Sequence, residues 1–292
     1  MSARSRLDTL AQARPEWAAW LRVVRELAAD LSDPAWDANP PRTAPASDRA
    51  PLLAGAEMRP DTRAIARLLE RLSGVARAQG LHAMAGEPRQ APGTPADALA
   101  VFMAALNDDD AALAMQASRA GASAQGWRTL AGLLPMPHLH ACARRWAAGP
   151  RAAWPHGYCP VCGAWPTFAE LRGVERARHL RCGRCGAGWP MPVLACTYCA
   201  TTDHDTLGAL VAEDKKAHFS VDVCHRCSGY LKSCTTLQAT PSDELLAADL
   251  ASVEFDLVAL ERGFLRPPGP GVALRATLSV EAASMPARRW WR

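Results

Sequence analysis

The chain of 292 residues has no run of about 18 apolar residues, the least that crosses a bilayer as a helix, so no membrane insertion is expected. It also lacks a polybasic run. Its 33 Lys and Arg are interleaved with 29 Asp and Glu for a formal net charge of +4, far from the concentrated basic face of a nucleic-acid binder, and no nucleic-acid partner is expected. Behind Met1–Asp8 stand Gln12, Arg14 and Glu16, where an export signal would place an unbroken apolar core, which makes the cytoplasm the expected location. A nucleophile elbow, a Gly-rich phosphate loop and a His-Glu-x-x-His motif are all missing, so no catalytic residues are assigned and the chain reads as a non-enzyme. Aromatic residues make up only 6%, although the 10 Trp among them are a mild excess.

What the chain does have is cysteine. Eight of its ten cysteines form four Cys-x-x-Cys pairs, Cys159/Cys162, Cys182/Cys185, Cys196/Cys199 and Cys224/Cys227. Two intervening residues let a tight turn aim both sulfurs at one point, and two such turns face to face build a tetrahedral sulfur site for zinc or iron. Disulfides are the alternative use of ten cysteines, but a reducing compartment and four identical spacings argue for metal. Cys162 and Cys182 are separated by 19 residues (163–181), a zinc-ribbon spacing, and Cys199 and Cys224 by 24 (200–223). Each gap holds two strand-like segments, 167–173 with 177–181 and 206–211 with 218–223, which favours pairing the knuckles in sequence order, two sites and two metal ions per chain. Interleaved pairing costs little more loop entropy and stays open on these grounds. Cys234 has no partner at ligand spacing and reads as a core thiol.

The fold class expected is α+β: an N-terminal all-helical domain (1–150), a first rubredoxin-like or zinc-ribbon module (151–195), a second with a C-terminal helix (196–270), and a flexible tail (271–292). Helices are expected around Trp17–Leu31, from Asp61, from Thr94-Pro95, after the carboxylates Asp108–Asp110, and as two pieces across Trp127–Trp146, where Pro135 and Pro137 intervene. His138, His140 and Cys142 alternate in a way that does not share one helical face, and read as packing. Leu245, Leu246, Leu250, Val253, Leu257 and Leu260 form one stripe of a helix from Pro241 to Gly263.

Tyr158-Cys159-Pro160-Val161-Cys162-Gly163 with Pro166, His179–Cys182 through Cys185 to Trp189, Cys196 and Cys199, Cys224-His225-Arg226-Cys227, Tyr230-Leu231-Lys232, Ala248–Ser252, Phe255-Asp256-Leu257 and Gly263-Phe264 resemble the FdhE accessory proteins of formate dehydrogenase. The resemblance covers about 158–266. It departs at Pro190 and Val193, where the family usually has His and Arg, and at Ala248, where a second Asp is usual. It implies a cytoplasmic assembly factor, not a subunit, that acts on the formate dehydrogenase catalytic subunit, with iron favoured and zinc possible in rubredoxin-like sites. Trp189, Tyr230, Asp249 and Asp256 are the expected partner contacts. Two rival functions are a rubredoxin-like electron carrier, which thiolate ligation alone cannot distinguish, and a zinc-ribbon nucleic-acid binder using Arg172, Arg176, Arg178, Arg181 and Arg184.

Overall fold

The structure is a computed structural model that describes residues 3–43, 47–86, 94–148, 154–211 and 218–279. The expected linker at 149–151 and the Arg288–Arg292 end lie outside them. Among the described residues eight helices come first: α1 (Ala3–Ala13), α2 (Ala18–Ala28), α3 (Thr62–Ala78), α4 (His82–Ala85), α5 (Pro95–Leu106), α6 (Asp110–Ala120), α7 (Ala124–Leu133) and α8 (Met136–Ala148). Short polar side chains start four of them. Asp61 accepts from the N–H groups of Arg63 and Ala64, Thr94 and Asp97 form a reciprocal capping box, Asp109 caps α6 and Ser123 caps α7. Such caps satisfy N–H groups that have no partner within the helix. No helix among the described residues is long and apolar enough to cross a membrane.

Beyond α8 the chain builds a six-stranded sheet from β2 (Phe168–Arg172), β3 (Ala177–Arg181), β4 (Gly188–Pro190), β5 (Leu207–Val211), β6 (Phe219–Cys224) and β7 (Gly229–Thr236). The strand order is β4-β3-β2-β7-β6-β5. The hairpins β2–β3 and β5–β6 fall in the two gaps between knuckles. Their union is less expected: β2 pairs in parallel with β7, Phe168 opposite Lys232 and Arg172 opposite Thr236, so both ribbon regions share one sheet.

Nor does the core stop at the expected boundary after residue 150. Cys159, Val161, Cys162, Leu180, Cys182, Cys185 and Trp189 lie in the same buried cluster as Leu27, Leu72, Phe102, Trp127 and Leu139. His138 and His140 are buried with Cys142 on α8, and the His138 ring meets Phe102 edge-on with centroids 6.0 Å apart. Burial lowers the pKa of His138 to about 4 and of His140 to about 3, which keeps both neutral.

Two expectations need correcting. The helix over 241–263 breaks at Ser252 into α9 (Leu245–Ala251) and α10 (Val253–Glu261). Ser252 Oγ donates to the carbonyls of Ala248 and Asp249, and the Lys232 ammonium also donates to Asp249 O at 3.0 Å, so that carbonyl is taken at the break. The break also reorients the second half. Phe255, Ala259 and Phe264 pack on the sheet, while Leu257 and Leu260 of the expected stripe are exposed. The other correction concerns the tail. Residues 277–278 form β8, parallel to β1 (Glu57–Met58), and Ala276 exchanges two hydrogen bonds with the Asn107 side chain. Leu274 and Ala276 are buried, so 271–279 is docked on the helical domain, and only 280–292 lies outside the described residues.

Candidate metal centres

The four knuckles share a backbone. In the first, Cys159 N–H donates to Ala164 O and Gly163 N–H returns to Cys159 O; Cys182, Ala187 and Gly186 repeat this, as do Cys196, Thr201 and Ala200. Cys224 and Cys227 occupy the β6–β7 turn, where Cys224 pairs with Gly229. The residue after the second cysteine is left-handed every time: Gly163 at φ 70°, Gly186 at 77°, Ala200 at 56° and Ser228 at 53°. Glycine takes that conformation freely, whereas an L side chain costs about 1–2 kcal/mol there. This shared position was readable by aligning the four pairs.

Replacing Ala200 or Ser228 with glycine should therefore raise the thermal midpoint of the metal-loaded chain, each by the equivalent of up to about 1 kcal/mol after the added freedom of the unfolded chain is subtracted. Gly186→Ala should lower it, since a Cβ there would sit 2.9 Å from the His140 ring. Midpoints that move the other way would show that the left-handed residue is not where the strain lies.

The structure brings together Cys159, Cys162, Cys182 and Cys185 in one group and Cys196, Cys199, Cys224 and Cys227 in the other, the sulfurs of each within 4.8 Å of one another. Sγ to Sγ separations are 3.5 Å for Cys159–Cys185 and Cys162–Cys182, 3.6 Å for Cys196–Cys227 and 3.8 Å for Cys199–Cys224. A disulfide needs about 2.05 Å. Four sulfurs each about 2.3 Å from a central ion stand about 3.8 Å apart, so either group fits a tetrahedral metal. Val161 N–H on Cys159 Sγ and Tyr198 N–H on Cys196 Sγ, both at 3.4 Å, are placed to stabilise thiolates.

Electrostatics support the same use. Burial pushes Cys159 and Cys185 well above the ordinary thiol range, and contacts from the other three thiols hold Cys182 well below it. A cation at the centre of the group would supply the potential that lets buried sulfurs ionise.

The surroundings differ sharply. All four sulfurs of the first centre belong to residues with 0% exposure. The N–H groups of Leu52 and Leu53 donate to the carbonyls of Pro160 and Val161, and Val272 N–H donates to Gly163 O. Arg184, inside the second knuckle, donates to Ala105 O and Leu106 O at 2.6 and 2.9 Å and pairs with Asp108 at 3.0 Å, tying the knuckle to the C-terminal end of α5. At the second centre Cys196 and Cys224 are buried, Cys199 is half-buried and Cys227 is exposed.

Cys234 is buried beside Phe168 and Leu245, and burial raises its thiol to about 12, a packing role. Of the expected partner contacts, Trp189 and Tyr230 are buried, and Asp249 and Asp256 are half-buried. Trp189 is 1% exposed and donates from Nε1 to His156 O; Tyr230 is 4% exposed and donates to Asp256 Oδ1. Asp249 and Asp256 hold the Lys232 ammonium at 2.5 and 2.7 Å, and Arg266 also pairs with Asp256 at 2.8 Å. Lys232, fully buried, is the residue that sequence reasoning missed, and it explains why both carboxylates face inward.

Most of the arginines of the nucleic-acid alternative are likewise engaged within the protein. Arg172 and Arg181 pair with buried Glu170, Arg178 with Asp222 and Arg184 with Asp108, leaving only Arg176 of the five exposed without a described partner. Arg178 also donates to Pro192 O, Ala195 O and Thr197 Oγ1, pinning the loop that enters the third knuckle. Between this loop and the sheet runs a groove of about 240 Å³ lined by Leu171, Leu207, Ala209 and Leu231, with exposed Val193 and Leu194 on its wall.

Fold and sites together define an α+β protein in which an N-terminal helical region is followed by a sheet with two tetracysteine centres. The family described as "FdhE, C-terminal domain" matches residues 194–270. An FdhE homolog of Stutzerimonas stutzeri is 33% identical over 111 residues, 37% of this chain and 35% of that protein, and one of Aquifex aeolicus is 31% identical over 119 residues, 39% of this chain and 40% of that protein. The matches thus span well under half of either relative. The crystal structure of the FdhE protein from Pseudomonas aeruginosa has the same fold, with a TM-score of 0.53 over 93% of this chain and 94% of that one at 24% identity. Residues 194–270 thus match the C-terminal domain of FdhE, and the chain is similar to FdhE homologs over a little more than a third of its length.

Proposed function

We propose that the chain is a cytoplasmic accessory protein of formate dehydrogenase, not an enzyme or a subunit of one, that binds the catalytic subunit through its metal-thiolate region and promotes its conversion to active enzyme. The observation that carries this reading is the pair of preformed tetracysteine centres on one sheet in a chain of FdhE kind. Each centre holds one metal ion in this proposal, iron in rubredoxin-like coordination or zinc, with the eight knuckle cysteines as ligands. Four thiolates suit both metals. Metal cross-links make the ribbon surface rigid, which lowers the ordering cost of docking. With Trp189 and Tyr230 inside the protein, Val193 and Leu194 beside the groove are the exposed apolar residues assigned to the partner in this proposal.

Deletion in the native host should abolish or sharply reduce formate oxidation. The wild-type chain should restore it, and a Cys-to-Ser chain should not. Leu194→Asp should keep its metal and lose the catalytic subunit in a pull-down. Unchanged formate oxidation after deletion, with no association in the pull-down, would defeat the assignment.

A further inference from the structure

The two centres have the same ligands and nearly the same sulfur spacing, yet opposite access to solvent. Around the first, both knuckles are hydrogen-bonded to other parts of the chain, the second through Arg184, and no cysteine has exposed surface. Its ligands cannot swing away without opening the main core. The second centre has two halves. Cys196 and Cys224 are buried anchors, and each sulfur neighbours an outward one, Cys227 at 3.6 Å and Cys199 at 3.8 Å. Cys227 sits in the exposed β6–β7 turn, where Arg226, Cys227 and Ser228 all face solvent. A rotation of its side chain needs no movement of the sheet.

We propose that the second centre is an exchange site at which an external sulfur donor, a thiol carried by a small molecule or a peptide, enters the metal's coordination sphere in place of Cys227, while the first centre is an inert cross-link. The proposal rests on the reading that both centres hold metal. In the step itself the incoming sulfur forms a bond to the metal, the metal–Cys227 bond breaks, and the proton of the incoming thiol passes to Cys227 Sγ. The metal keeps its oxidation state and its four sulfur ligands. Cys199, half-buried, opens next if a second donor arrives.

The test uses the full chain loaded with zinc, whose content is measured first and should be two ions per chain. Glutathione is then added with a colorimetric zinc indicator. One equivalent should appear at least a hundredfold faster than the other. In parallel, iodoacetamide followed by peptide mass spectrometry should modify Cys227 before the other knuckle cysteines, with Cys159, Cys162, Cys182 and Cys185 protected throughout. Cys227→Ser should lose the fast equivalent and keep the slow one. Release of both equivalents at one rate, or first alkylation within the first centre, overturns the exchange proposal and leaves the metal-binding reading intact. Folded protein that takes up fewer than two ions overturns the metal-binding reading and the exchange proposal with it.

Discussion

Cys182→Ser/Cys185→Ser is expected to lose one metal ion and with it the cooperative fold of the whole chain, helices included. The corresponding Cys199→Ser/Cys227→Ser pair should lose one metal ion and leave the helices melting close to the wild-type temperature. The difference follows from placement. Cys159, Cys162, Cys182 and Cys185 are part of the cluster that also contains Leu27, Leu72, Phe102 and Trp127, and Arg184 joins the second knuckle to α5. Structural zinc contributes on the order of 10–16 kcal/mol in small zinc-finger peptides, comparable to the entire 5–15 kcal/mol, roughly, that stabilises a domain. Losing it from the shared core should leave little residual stability. Metal analysis and the thermal loss of helical circular dichroism check both variants. A Cys182→Ser/Cys185→Ser chain whose helices melt normally would show that the shared core does not couple the two regions.

Lys232→Met should lower stability by about 3–5 kcal/mol, the range for removing one partner of a buried ion pair. Lys232 is fully buried and binds Asp249 and Asp256; without it Asp256 keeps Arg266 and Tyr230, whereas no other cation pairs with Asp249 among the described residues. Adding Asp249→Asn to Lys232→Met should recover part of the loss, because an unpaired part-buried carboxylate is then gone. Denaturant midpoints of the two variants and the wild type are the measurement. A loss under about 1 kcal/mol, or no recovery in the double variant, would show that the cluster contributes little.

The parts of this molecule that were legible in the sequence are those fixed over short distances. Two residues between cysteines dictate a knuckle, and a strand pair in each gap brings one knuckle to the next, so the composition of each cysteine group follows from neighbours along the chain. Asp61, Thr94-Pro95 and Asp108–Asp110 marked helix starts for the same reason, since a cap acts on N–H groups two or three residues away. The break at Ser252 was invisible because the leucine stripe is locally sound. It takes an ammonium from β7, about twenty residues earlier, to engage Asp249 O. The parallel pairing of β2 with β7 leaves no mark on either strand's own pattern. Likewise, identical Cys-x-x-Cys spacing cannot reveal that the helical domain covers one centre and leaves Cys227 of the other in solvent. Trp189 and Tyr230 were misplaced on a partner surface because an aromatic residue serves a core as well as an interface.

The parallel seam has a consequence for a chain still being made. When Arg172 has left the ribosome, β3 follows within a few residues, but β7 ends only at Thr236, 64 residues later (236 − 172). At about 5–20 residues per second, the outer edge of β2 waits roughly 3–13 s with its N–H and C=O groups unpaired. An open strand edge is a template for pairing with another chain. A nascent or truncated form lacking β7 therefore presents that edge to its neighbours. Completion of the second ribbon is what protects the first from aggregation.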